Sequence, residues 1–289
     1  MKKSAYDRVT ERMIELLEKG VCPWRKPWNR IAGRPRNFAS DRPYSGINWF
    51  LLQTASFDLP YFMTFIQVKA KGGSVTKGSK GLPVVYWGTF ERDDENNGKS
   101  VTDKDSEARK IPFLKSYTVF NACQVEGIDF PDLPESDPLA FSPIEAAEQI
   151  IAGWKDGPEV LHGYKHACYL PATDEIQLPP KARFASVEEY YATRFHEMSH
   201  ASGSPKRLNR TMSTTYGDKD YSREELIAEM TSAFLCAHCG IDNSVIENSA
   251  AYLQGWINIL KGDSKLVVIA ASQAQKAANL ILGIGEGES

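Results

Sequence analysis

The sequence predicts an α+β protein of two domains. A mixed α+β unit spans residues 1–129, a Pro-rich linker spans 130–143, and a mostly helical unit with a small sheet spans 144–289. Three observations carry that reading. Runs of strand composition gather in the first half, while helical periodicity dominates the second. Prolines at 131, 134, 138 and 143 cluster between the two. The charge divides at the same place: residues 1–130 hold 21 Lys+Arg against 15 Asp+Glu, and residues 131–289 hold 13 against 22. The net charge of −3 is therefore a cancellation, and the +9 of residues 1–90 points to a polyanionic partner for that segment.

A chain of 289 residues fits about two domains at roughly 100–200 residues each. The apolar fraction of 42% and charged fraction of 25% exclude a fibre, a largely disordered chain and a small disulfide scaffold. No apolar run reaches the roughly 18 residues of a membrane span. The opening MKKSAYDRVTERM has no apolar stretch of the secretory type. Five irregularly spaced cysteines give no disulfide framework, so a reducing cytoplasm is expected.

Residues 4–18 read as an amphipathic helix with Val9, Met13, Leu16 and Leu17 on one face and Gly20 ending it. VCPWRKPWNRIAGRPRNFASDRPYSGIN is basic, aromatic and aperiodic, hence irregular, and Asn48 to Ala55 returns to helix. YFMTFIQVKAKGG, LPVVYWGTFER and PFLKSYTVFNACQV have strand composition. KAKGGSVTKGSKG is a basic turn-rich connection, and 91–108 a solvated acidic loop. In the second half, Ile144 to Trp154 reads as a helix and ACYLPATDEIQLP as two short strands about a turn. Helices are expected near 186–202, 222–240, 244–260 and 264–282, the first with Ser186 as N-cap.

The sharpest chemical signal is the HExxH string FHEMSH, with His196, Glu197 and His200. Histidines at i and i+4 share one helix face and can converge on one Zn²⁺. Glu197 projects beside that face, as the general base for metal-bound water attacking a carbonyl. The bland alternative is a pair of surface histidines. A catalytic ion needs a third ligand, and YSREELIAEMTSAFLC offers Glu224, Glu225 and Glu229. Glu225 and Glu229 lie one turn apart, with small Ala228 and Ser232 beside them, so this face can approach another helix. The spacing Glu225-x-x-Ala228-Glu229 resembles the ExxA(D/E) pattern of glutamate-type zincins, and that resemblance implies Glu225 as ligand and Glu229 as the residue holding a ligand histidine, with the reverse left open. Glu224 reads as a solvated acid near a helix start. Cys236 and Cys239 read as buried helix cysteines and His238 as a helix-end residue. His162 and His166 lack a helical context, and Tyr216 is a candidate oxyanion donor.

For the first half, cations interleaved with aromatic rings are what single-stranded DNA requires. The candidates are Trp24, Arg25, Lys26, Trp28, Arg34, Arg36, Arg42, Tyr44, Trp49, Lys69, Lys71, Lys77 and Lys80. Taken singly, each ring is better explained by packing.

GVCPWRKPW, YSGIN, KGSKGLPVVYW and KSYTVFNACQV together resemble the N-terminal single-stranded-DNA-binding domain of ArdC-type antirestriction proteins. YLPATDEIQLP, FHEMSHASGSPKRLNR and YSREELIAEMTSAFLC resemble the zincin-like metallopeptidase domain that follows it. The resemblance implies a plasmid-borne protein that binds single-stranded DNA entering during conjugation and shields it from host restriction enzymes. It also implies Zn²⁺, Mn²⁺ or another divalent ion as cofactor, with His196 and His200 as ligands, Glu197 as base and Glu225 or Glu229 completing the site. A protein bound to DNA is the implied substrate. Two readings follow: a DNA-recruited metallopeptidase, or a non-enzymatic coat whose metal domain is a structural or interaction module. A third, a DNA mimic, conflicts with the basic first 90 residues.

Overall fold

Ser4 opens the first helix, α1 (Ala5–Glu18), through a capping box in which Asp7 N–H donates to the Ser4 hydroxyl and Ser4 N–H to the Asp7 carboxylate. Val9, Met13, Leu16 and Leu17 are its buried stripe, and Gly20 turns the chain away at φ +79°. The structure is a computed structural model that describes residues 3–25, 34–55, 57–92, 109–131, 143–211, 219–242 and 250–285. Residues 93–108 of the acidic loop, most of the Pro-rich linker, Lys26, Trp28 and Tyr216 lie outside the described residues, while Glu91 and Arg92, expected in that loop, end a strand instead.

Strand β1 (Arg36–Asn37) and helix α2 (Gly46–Gln53) precede β2 (Tyr61–Thr64). YFMTFIQVKA does not continue as strand. Thr64 instead caps helix α3 (Phe65–Ala70), accepting from Gln67 N–H at 3.3 Å, while Thr64 N–H donates to the Gln67 carboxamide at 2.9 Å. This T-x-x-Q capping box outweighs the β-branched, aromatic composition of the run. After β3 (Ser74–Val75), the long strands β4 (Leu82–Arg92) and β5 (Arg109–Asn121) pair antiparallel as an extended ribbon, followed by β6 (Val125–Glu126). The main sheet has the order β1-β2-β5-β4, and β3 pairs with β6.

The second part begins with α4 (Pro143–Gly153) and a three-stranded sheet of β7 (Glu159–His162), β8 (Cys168–Leu170) and β9 (Glu175–Leu178), ordered β7-β9-β8. The expected hairpin is β8–β9, turning where Asp174 adopts φ +56°; β7, unforeseen, adds in parallel. Helices α5 (Val187–Ser202), α6 (Lys219–Cys239), α7 (Ala250–Gly262) and α8 (Leu266–Leu282) complete it. Among the described residues no helix is long and apolar enough to cross a membrane.

Both parts feed one apolar core. Trp49 and Phe50 of α2 pack on Phe234 of α6 with ring centroids 4.9 and 4.8 Å apart, and Trp24 meets Trp256 of α7 edge-on at 5.6 Å. Met13 and Leu17 of α1 belong to the same cluster as Phe195, Met230 and Val267. Burial of such large rings contributes about 1.5–3 kcal/mol apiece, which binds the basic half to the helices that carry the acids.

Candidate metal centre

Helix α5 carries the HExxH residues in its last turns. Ser186 caps it by accepting from Glu189 N–H at 3.1 Å, and Glu188 and Glu189 lie in its first turn, where negative charge favours the helix dipole. Helix α6 lies against it. Small side chains permit the close approach: the Ser232 hydroxyl donates to the Ala192 carbonyl of α5 at 2.8 Å. The two histidines and the start of α6 are thereby brought face to face.

His196, His200 and Glu225 converge. The two Nε2 atoms lie 3.1 Å apart, and the Glu225 carboxylate oxygens lie 3.6 Å from His196 Nε2 and 3.5 Å from His200 Nε2. A tetrahedral ion with bonds of about 2.0–2.1 Å requires donors roughly 3.3 Å apart. The cluster has that size, with all candidate ligand atoms within 4.8 Å of one another. Its field is negative. Burial alone lowers the affinity of His196 for a proton, but the hydrogen bond to Glu225 and the charges of Glu197, Glu229 and Glu225 outweigh it and push the pKa up to about 9. For Glu225, burial pushes the carboxyl up while the two histidines more than reverse it, so it is ionised. The same field favours a divalent cation. Glu197 is 7% exposed and accepts no hydrogen bond from the described residues.

Glu224 stands behind His200. The imidazole Nδ1 of His200 lies 3.4 Å from its carboxylate, leaving Nε2 for an ion. Arg210 holds that carboxylate by two hydrogen bonds, at 2.6 and 3.0 Å, and also donates to the Ser199 carbonyl at 2.7 Å and the Ser202 hydroxyl at 2.9 Å. Burial would raise the Glu224 carboxyl, but His200 and Arg210 hold it below its ordinary value. Gly203 makes room for this, since a Cβ there would meet the Arg210 guanidinium at 2.7 Å. The expectation of a solvated Glu224 is thus corrected: it sits in the second turn of α6, buried and doubly bonded. Arg210 and Gly203 were legible only as part of the family-like string FHEMSHASGSPKRLNR.

Glu229 is corrected in the opposite sense. It lies outside the converging trio of His196, His200 and Glu225, and among the described residues it hydrogen-bonds to no histidine. Arg25 forms a bidentate pair with it, one contact of which (Nε to Oε2) is 3.1 Å, and the Tyr252 hydroxyl donates to it at 3.1 Å. The guanidinium lies over the Tyr252 ring at 3.8 Å, and Trp24 Nε1 donates to the same tyrosine hydroxyl at 3.2 Å.

That latch also removes two of the expected DNA contacts. Trp24 is fully buried, and the Arg25 side chain is only 10% exposed, because both serve the core and α6. Trp49 is buried against Phe234. Tyr44 is half-buried, edge-on to Phe62, and its hydroxyl accepts from Asn37. Arg36 is paired with Asp41 at 2.9 Å. Arg34, Arg42, Lys69, Lys71, Lys77 and Lys80 are exposed, with Lys71 over the Phe38 ring at 5.0 Å. Cys236 and Cys239 are buried on α6, and His162 ends β7, where its Nε2 lies 3.1 Å from the Tyr190 hydroxyl.

Fold and site together define a class, a zincin-like helical domain carried behind an α+β N-terminal part. Residues 145–273 match the family model of a zincin-like metallopeptidase, and residues 3–120 match that of the N-terminal domain of anti-restriction factor ArdC. The metal-free crystal structure of the antirestriction ArdC protein from plasmid R388 is similar, with 37% identity and a TM-score of 0.73, covering 96% of each chain. Its Mn(II)-bound structure gives 36% identity and 0.74, covering 98% of this chain and 99% of that one. The uncharacterized protein y4eC of Sinorhizobium fredii is 34% identical over 95% of this chain and 90% of its own length. DNA primase TraC of Escherichia coli is 37% identical over 98% of this chain, which spans 27% of the primase. The chain belongs to the ArdC antirestriction family.

Proposed function

We propose that this protein binds single-stranded DNA entering a cell during conjugation, protects it from host restriction enzymes, and carries a metallopeptidase-like centre directed at proteins on DNA. The observation that carries the catalytic part is the convergence of His196, His200 and Glu225 beside the buried Glu197. We assign the three as ligands of Zn²⁺, Mn²⁺ or another divalent ion, in keeping with the Mn(II)-bound neighbour. Such an ion, when bound, acidifies water and polarises a carbonyl.

The chain supplies the rest. Glu224 fixes the His200 ring through Nδ1, and Arg210 balances the charge of Glu224. Glu197 accepts the proton released at the attacking water and returns one to the leaving amine. The DNA part rests on the +9 of residues 1–90 and on family membership. Backbone-phosphate contacts of this kind are sequence-independent and salt-sensitive. The setting is the cytoplasm of a plasmid-bearing or recipient bacterium.

The test is a proteolysis assay of metal-loaded protein with and without single-stranded DNA. Wild type is expected to cleave in the presence of DNA. Glu197→Ala is expected to retain the ion and lose cleavage by about 100-fold or more, the scale of a general base. A wild-type protein that takes up no divalent ion would sink the metallopeptidase reading. Undiminished DNA protection by Glu197→Ala would assign antirestriction to DNA cover alone.

A further inference from the structure

The rings expected to stack on DNA are largely core, yet the fold leaves other rings bare. Tyr86 of β4 is 58% exposed and Tyr117 of β5 is 45% exposed. The antiparallel register sets Val84 opposite Tyr117 and Tyr86 opposite Lys115, so all four share one face of the ribbon. Tyr86 and Tyr117 are diagonal neighbours there, with backbones about 7–8 Å apart. At the sheet end of this face, Val84 and Val119 are covered by Leu52 and Phe62. Further out, the tyrosines have no such cover.

The opposite face is already used. Val85 and Leu114 join the main core, Trp87 meets Tyr6 edge-on at 6.0 Å, and Ser116 accepts from Arg8. The exposed surface of the two tyrosines is therefore not accounted for by packing among the described residues. Around them the surface is prepared for an anion carrying flat rings. The Phe113 ring lies over Gly88 of the facing strand, where a Cβ would stand 2.4 Å from it, and Lys115 Nζ is 4.7 Å from the Phe113 centroid. Addition of a protein strand is opposed at this edge, because the Asn48 carboxamide already occupies both the N–H and the carbonyl of Val85, at 2.7 Å each.

We infer that this outer face of the β4–β5 ribbon is the stacking platform for single-stranded nucleic acid, with Tyr86 and Tyr117 receiving bases and Lys115 the phosphate chain. This rests on the DNA-binding reading above and gives it a location on residues outside the cation and ring candidates of the first half. Stacking on exposed rings is tolerant of sequence.

The test is fluorescence anisotropy of the full chain with a labelled oligothymidine at low and physiological salt. Tyr86→Ala and Tyr117→Ala are each expected to weaken binding about tenfold, and the double variant about a hundredfold, with unchanged salt slopes. The Phe substitutions keep the platform and are expected to bind as wild type. Lys115→Ala is expected to flatten the salt slope. Tyr164, an exposed ring of the second part, serves as control, and Tyr164→Ala is expected to have no effect. Photo-crosslinking of iodouracil-substituted oligonucleotide to the wild type is expected to label Tyr86 or Tyr117. A double alanine variant that binds like wild type, or crosslinks that map elsewhere, overturns the platform while leaving DNA binding intact. A wild type that binds no single-stranded DNA overturns both. Equal losses in the Phe and Ala variants overturn stacking as the cause.

Discussion

Glu225 and Glu229 stand one turn apart on α6 and present the same carboxylate to two different neighbourhoods. Glu225 faces α5, where its partners are imidazoles and its side chain is 29% exposed. Glu229 faces the chain that leaves α1 and is 14% exposed, its charge met by Arg25 and Tyr252. The first neighbourhood gathers negative charge, and among the described residues its one arginine, Arg210, is taken up by Glu224. The second is internally neutral. What separates the two acids is which groups reach them, and the cation that reaches Glu229 is 204 residues away in sequence.

The comparison breaks most visibly at Arg25. Removing one partner of a buried pair strands the other, so Arg25→Ala is expected to cost about 3–5 kcal/mol of unfolding free energy by denaturant titration. Metal affinity of the remaining folded protein should change little. If Arg25→Ala instead removes the ion and spares stability, the division between the two acids is wrong. Next comes Glu224→Gln, which weakens the hold on His200. A loss of about 10–100-fold in metal affinity is expected by competition with a chelator. The smallest effect is with pH. His196 has a folded-state pKa raised above its ordinary value to about 9. Its contribution to stability of the metal-free protein is therefore complete below about 6.5 and is lost as the pH rises towards about 9. An ion must displace that proton, so metal affinity rises across the same interval. A metal-free midpoint of thermal unfolding that increases from pH 6.5 to 9 would contradict this sign.

Much of the centre was legible because helical spacing is local. His196 and His200 at i and i+4, and Ser186 as the cap of their helix, follow from the sequence without tertiary knowledge. The packing of Ser232 against α5 was legible for the same reason. Glu224 and Glu229 were not, since adjacent acids on one helix differ only in what faces them. Trp24 and Arg25 misled because composition counts a ring and a cation alike whether they are buried or bare. The ribbon residues were hidden differently. Tyr86, Lys115 and Tyr117 form one stripe only after β4 and β5 pair, and that register joins residues some 30 positions apart. Within the first half, the one reversed element is α3, whose Thr64–Gln67 box was present in the sequence and masked by strand-like composition.

The shared core also bears on the order in which the chain can acquire structure. Met13, Leu17, Trp24, Trp49 and Phe50 emerge first during synthesis, but Phe234, Trp256 and Val267, against which that core closes, emerge about 200 residues later. At roughly 5–20 residues per second, the delay is on the order of 10–40 s. During that interval the long ribbon can pair by itself, while the apolar faces of α1 and α2 stay wet and open to chaperones or to misassociation.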